Sequence, residues 1–169
     1  MATYIKIATV DVGAGGAANI DFTSIPSTYT DLCVKVSGRT ATAGNADNLL
    51  VKFNTSSTSF TSKALRGSGS AVVSYSPGSA NIFGFLPGAT STASTFGNTE
   101  LYIPNYAGST NKSYSGDSVT ENNGTEAYAL LVAGLWSNTS AISSITIYSD
   151  SSSNLTQYTT ATLYGIKNS

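Results

Sequence analysis

Histidine is absent from this 169-residue chain. Ser-His-Asp and Cys-His nucleophile arrangements, histidine metal sites and a histidine pH switch are therefore all excluded. The single cysteine, Cys33, has no partner for an internal disulfide, so nothing points to an oxidising compartment, and with no imidazole to activate it, it reads as a small strand residue. Charge is scarce too. Only 10% of the residues are charged, against roughly 25% in average soluble proteins. Eight basic and nine acidic residues leave a net charge of -1, so no cationic excess exists to displace counterions from a phosphate backbone, and no nucleic-acid partner is expected. No run approaches the roughly 20 apolar residues that span a bilayer, so no membrane partner is expected either. Met1 leads directly into alternating sequence without a basic or apolar leader, which predicts synthesis in the cytoplasm.

What the chain has instead is hydroxyl. It contains 27 Ser and 23 Thr, together 50 of 169 positions. Seventeen aromatic residues (ten Tyr, six Phe and one Trp) supply the area for a core, and low net charge with many β-branched residues argues against disorder. Five Asn-x-Ser/Thr triplets, at Asn54, Asn111, Asn123, Asn138 and Asn154, are about what such a composition yields by chance.

The dominant hydrophobic period is two, in short Val-, Ile-, Thr- and Tyr-rich runs separated by Gly, Ser, Asn and Pro. Tyr4 to Val12 keeps one apolar face only if the register slips near Ala8, as at a bulge. With the Gly13-Ala14-Gly15-Gly16 turn and Asn19 to Phe22, it predicts an opening hairpin. Asp31 to Arg39 sets Leu32, Val34 and Val36 against Cys33, Lys35 and Ser37, and Asn48 to Asn54 alternates likewise. Further strands are predicted at Phe60 to Leu65, Ala71 to Tyr75, Asn81 to Phe85, Glu100 to Ile103, Lys112 to Thr120, Ile142 to Tyr148 and Gln157 to Ile166. The run Ala127 to Trp136, AYALLVAGLW, fits a buried strand or a short helix by length, and its position between strands favours the strand. The expectation is one all-β domain over residues 1–169, an antiparallel sandwich of about 8–11 short strands.

Candidate chemistry is thin. Paired carboxylates for glycoside hydrolysis would come from Glu100, Asp117, Glu121 and Glu126, and a calcium site from Asp47 or Asp150 with nearby Asn and Ser oxygens. The glycines at 13–16 lack the Lys-Ser/Thr of a phosphate loop. The reading is of a protein that is not an enzyme and needs no cofactor or metal. Aromatic platforms for sugar rings would be Tyr102, Tyr106 and Trp136, although Trp136, at the end of the most apolar run, equally suits a core. The segment around Phe83 and Phe85 suits either a surface meant for other subunits or a core strand.

Three short stretches, Ile25-Pro26-Ser27-Thr28-Tyr29-Thr30-Asp31-Leu32, Tyr102-Ile103-Pro104-Asn105-Tyr106 and Thr162-Leu163-Tyr164-Gly165-Ile166, resemble a group of small virion proteins of tailed, notably aquatic, bacteriophages. The resemblance implies a jelly-roll-type β-sandwich located in the virion. No functional residue carries over from it. A compact chain without a shaft repeat fits a capsid decoration or cement protein, homo-oligomeric, with a trimer expected, whose partners are the major capsid protein or tail proteins. The alternative is a tail-fibre or receptor-binding module that recognises a host surface glycan.

Overall fold

A computed structural model describes residues 2–123 and 127–167. The described residues form twelve strands: β1 (Thr3–Asp11), β2 (Asn19–Phe22), β3 (Asp31–Gly38), β4 (Ala46–Phe53), β5 (Phe60–Gly67), β6 (Val72–Tyr75), β7 (Ile82–Pro87), β8 (Gly97–Ile103), β9 (Lys112–Val119), β10 (Ala129–Trp136), β11 (Ile145–Ser149) and β12 (Thr160–Lys167). They make one eight-stranded sheet, ordered β1-β12-β3-β8-β9-β10-β5-β6, and one four-stranded sheet, ordered β2-β11-β4-β7. Every pairing is antiparallel. The chain is an all-β sandwich.

Nested pairing gives the sandwich its jelly-roll wrap. The pairs β1/β12 and β3/β8 lie in one sheet, and β2/β11 and β4/β7 lie in the other, so eight strands roll up as a folded double ribbon. The remaining four are additions. β5 and β6 follow β4, β9 and β10 follow β8, and together they extend the larger sheet beyond β8.

The expected opening hairpin does not form: β1 pairs with β12 and β2 with β11, in different sheets. The glycine loop carries the chain across the sandwich instead, where the Ala17 N–H donates to the Leu155 carbonyl at 2.9 Å. The slip in β1 is present, between Lys6 and Ala8. It keeps Ala8 and Val10 packed against the core after Lys6 has faced outward. The run containing Trp136 is a strand, and it alternates: Leu130 and Val132 are buried while Leu131 is 54% exposed.

The core lies between the sheets and includes Leu32, Val34, Leu49, Val51, Leu101, Ile147 and Leu163, all fully buried. One end is aromatic. Phe53 meets Phe60, Tyr114 and Trp136 with ring centroids 5.4 to 5.9 Å apart, and Phe60 stacks on Trp136 at 6.1 Å. Such pairs add roughly 0.5–1.5 kcal/mol each beyond area burial.

The four-stranded sheet is too narrow to cover the extended one, and β7, its last strand, lies against β8, β9 and β10. All six residues of β7 are buried. As an edge strand it would leave backbone groups unpaired in a dry interface, a cost of about 1–3 kcal/mol each. Side chains from the opposite sheet satisfy them. The Phe85 N–H donates to Ser118 Oγ at 3.0 Å, Thr99 Oγ1 donates to the Phe85 carbonyl at 3.1 Å, and the Tyr114 hydroxyl donates to the Ile82 carbonyl at 3.2 Å.

Candidate functional site

Four of the five residues singled out for surface contact lie inside the protein. Tyr106 and Phe83 have no exposure, Trp136 has 1% and Phe85 has 6%. Phe83 and Phe85 belong to β7, where both faces are covered, and Trp136 completes the aromatic cluster. The Tyr106 hydroxyl donates to the Pro26 carbonyl. None of these four presents a platform to a ligand.

Tyr102 stays half-buried on the outer face of the eight-stranded sheet. Its hydroxyl donates to Asp31 Oδ2 at 2.7 Å, and Asp31 Oδ1 accepts the Asn105 N–H at 2.9 Å. That hydrogen bond to Asp31, with burial and the carboxylate's charge, pushes the phenol up to about 12. Cys33 lies between Tyr102 and Tyr164 in register and is fully buried. Burial first, then the charge of Glu100, raises its thiol to about 12, which leaves it inert as a nucleophile at neutral pH. Tyr4 packs edge-on to Tyr164, with centroids 6.1 Å apart, at the same end of the face.

Beyond the tyrosines the face changes character along one unbroken cross-strand row, Lys35, Glu100, Asp117, Leu131, Leu65, Ser74. Lys35 Nζ and Glu100 Oε2 are 2.9 Å apart, and the hydrogen bond to Glu100, then its charge, raises the Lys35 pKa. Asp117 sits opposite Glu100 and has no cationic partner among the described residues. The next row runs Asn98, Val119, Ala129, Gly67, Val72. Leu131 at 54%, Leu65 at 45%, Val119 at 40% and Val72 at 73% exposure make this half of the face apolar and open to solvent. It forms a shallow concavity of about 640 Å³, lined by Leu65, Leu131, Ala133, Asp117 and neighbours. All four of these apolar residues lie on the added strands β5, β6, β9 and β10.

Of the candidate carboxylates, Glu100 and Asp117 are register partners, although Lys35 holds Glu100. Glu121 Oε1 accepts the Asn123 N–H at 2.7 Å in a separate loop, and Glu126 lies outside the described residues. Asp47 and Asp150 are occupied by protein donors. Asp47 Oδ2 accepts hydroxyls from Thr42, Ser149 and Ser151, and Asp150 accepts from Asn48 and Ser79, both at 2.8 Å. Among the described residues no three His, Cys, Asp or Glu side chains cluster as metal ligands.

A scan against protein-family models and a search of curated proteins both return no match. Among solved structures, the parasporin-2 Bacillus thuringiensis toxin that recognizes cancer cells aligns with 99% of this chain and 69% of its own, at 12% identity and a TM-score of 0.15. A likeness that slight carries no argument about fold or function.

The exposed apolar half-face is what the sequence reading missed. Its signal was present in the alternation of AYALLVAGLW, which sets Ala129, Leu131 and Ala133 opposite Leu130 and Val132.

Proposed function

We propose that this chain is a non-enzymatic structural protein of a bacteriophage virion, a decoration or cement protein that stabilises the shell by packing against other proteins. The observation that carries the packing part is the solvent-exposed apolar half-face formed by Leu65, Leu131, Val119 and Val72. Contiguous exposed apolar surface of this kind marks contact sites in soluble proteins. The near-neutral composition supports it, because copies crowded on a lattice repel one another little. The virion assignment rests on the resemblance of the three short stretches to tailed-phage proteins. Repetition of one modest contact over a symmetric shell would supply strength through avidity.

A second reading, glycan recognition at a tail tip, has one feature in its favour: Tyr4, Tyr164 and Tyr102 gather at the other end of the same face. It loses Tyr106 and Trp136, both buried.

Fractionating particles of a phage that encodes this chain into heads and tails distinguishes the two. Many copies per head, with shells lacking the protein rupturing at lower temperature and regaining resistance when it is added back, is the expected result. Recovery only with tails would sink the cement reading and favour the glycan one.

A further inference from the structure

We infer that the apolar half-face of β9, β10, β5 and β6 is occupied by the same face of a second copy, in a two-fold dimer held by Leu131 and Leu65 and framed by Lys63 against Asp117. The inference rests on the packing reading above and names the partner at that surface. A two-fold contact brings one patch against itself, so the patch must be self-complementary. This one is. Its centre, Leu131 beside Leu65, is apolar and carries no charge to repel its copy. On one flank stands Asp117, exposed, directly opposite Glu100, with no cation beside it among the described residues. On the other flank stands Lys63, exposed, bonded only to the Ser76 hydroxyl and to no acid among the described residues.

Within one chain these two charges are kept apart by β10, since Asp117 pairs with Leu131 and Lys63 with Ala133. Face to face about a two-fold axis passing between Leu131 and Ala133, Lys63 of each copy comes over Asp117 of the other, and Leu131 falls near Leu65. Two charges unpaired in the monomer are then paired twice in the dimer. The size suits a weak, concentration-dependent contact. At about 3.4 Å per residue and about 4.8 Å between strands, the outer face of β9, β10, β5 and β6 offers about 460 Å² per copy. A standard stable interface buries about 800 Å² per partner.

Sedimentation of the full chain over a wide concentration range tests this. The wild type is expected to show a concentration-dependent monomer–dimer equilibrium. Leu131→Glu, an exposed position, should raise the dissociation constant by about tenfold or more while lowering the urea unfolding midpoint only slightly, through repulsion from the Asp117 carboxylate opposite it. Lys63→Asp and Asp117→Lys should each weaken association several-fold, and the double exchange should restore it, because only a contact between copies joins the two positions. A wild type monomeric at about millimolar concentration, a trimer indifferent to Leu131→Glu, or a double exchange no better than the singles would overturn the inference. A monomer still found on heads would overturn the dimer and leave the packing function standing. A dimer absent from particles would do the reverse.

Discussion

Gly116 of β9 lies directly beneath the Phe83 carbonyl of β7, so closely that a Cβ on Gly116 would come within 1.9 Å of that oxygen. The nearest atoms are main chain and cannot swing aside as a side-chain tip would. The two sheets touch backbone to backbone here. This contact holds the narrow sheet against the extension that carries the apolar half-face, linking core packing to the proposed contact surface.

Gly116→Ala should therefore destabilise the fold by about 3 kcal/mol, at the upper end for overpacking. Gly67 on β5 is the matched control, since a Cβ there meets nothing within 4 Å. Gly67→Ala should be neutral or stabilising by up to about 1 kcal/mol through a less flexible unfolded chain. Urea unfolding of both variants checks the pair, and equal effects would contradict the close approach.

Ser118→Ala should cost about 1–3 kcal/mol although it removes a single oxygen. The loss strips the buried Phe85 N–H of its acceptor and leaves a donor in a dry interface. Ser115→Ala on the opposite face of β9 should change stability by less than about 0.5 kcal/mol. A smaller effect at Ser118 than at Ser115 would rule out the side-chain satisfaction of β7.

Stability should fall steeply in alkali. Cys33 is raised from 9.0 and Tyr102 from 10.0, each to about 12. Burial also raises Tyr75, Tyr106 and Tyr114. A raised pKa means the folded chain keeps protons that the unfolded chain gives up. The stabilisation is complete below about pH 9 and is lost as the pH climbs towards 12. Lys112, fully buried with its ammonium donating to the Gly108 carbonyl at 2.7 Å and to that of Thr110, opposes this, because desolvation lowers its pKa. Lys35, raised by Glu100, acts in the same direction as the thiol and the phenols, so one opposing group against six leaves the trend downward. Urea midpoints between pH 8 and 12 test it, and a flat profile would contradict the buried phenols and thiol.

Cys33 should be silent to a thiol reagent at pH 8 in the folded protein and react on unfolding, since it has no exposure and holds its proton. Labelling in native buffer as fast as that of a free thiol would show the tyrosine-lined outer face to be open.

Strand positions were legible because alternation is local. An inner strand such as β3, with Leu32-Cys33-Val34-Lys35-Val36, declares its faces over five residues. Partnership was not legible, since β1 meets β12 some 150 residues away, and the adjacent β2 looked like the natural hairpin partner. The site fared worse for a related reason. Phe83, Phe85 and Trp136 are large and sit beside turn-forming residues, which suits a surface as well as a core, and the packing of β7 against β8, β9 and β10 that accompanies burial of the first two is not written in local sequence. Leu131 lies in the run expected to form a buried strand, yet with Leu65 it is exposed on the outer face of the added strands.

Single-particle reconstruction of the intact virion tests the central claim most directly. The account predicts copies of this chain on the head shell with Leu131, Leu65, Val119 and Val72 buried against protein. Copies seated with that face in solvent, or no copies on the head at all, would contradict it.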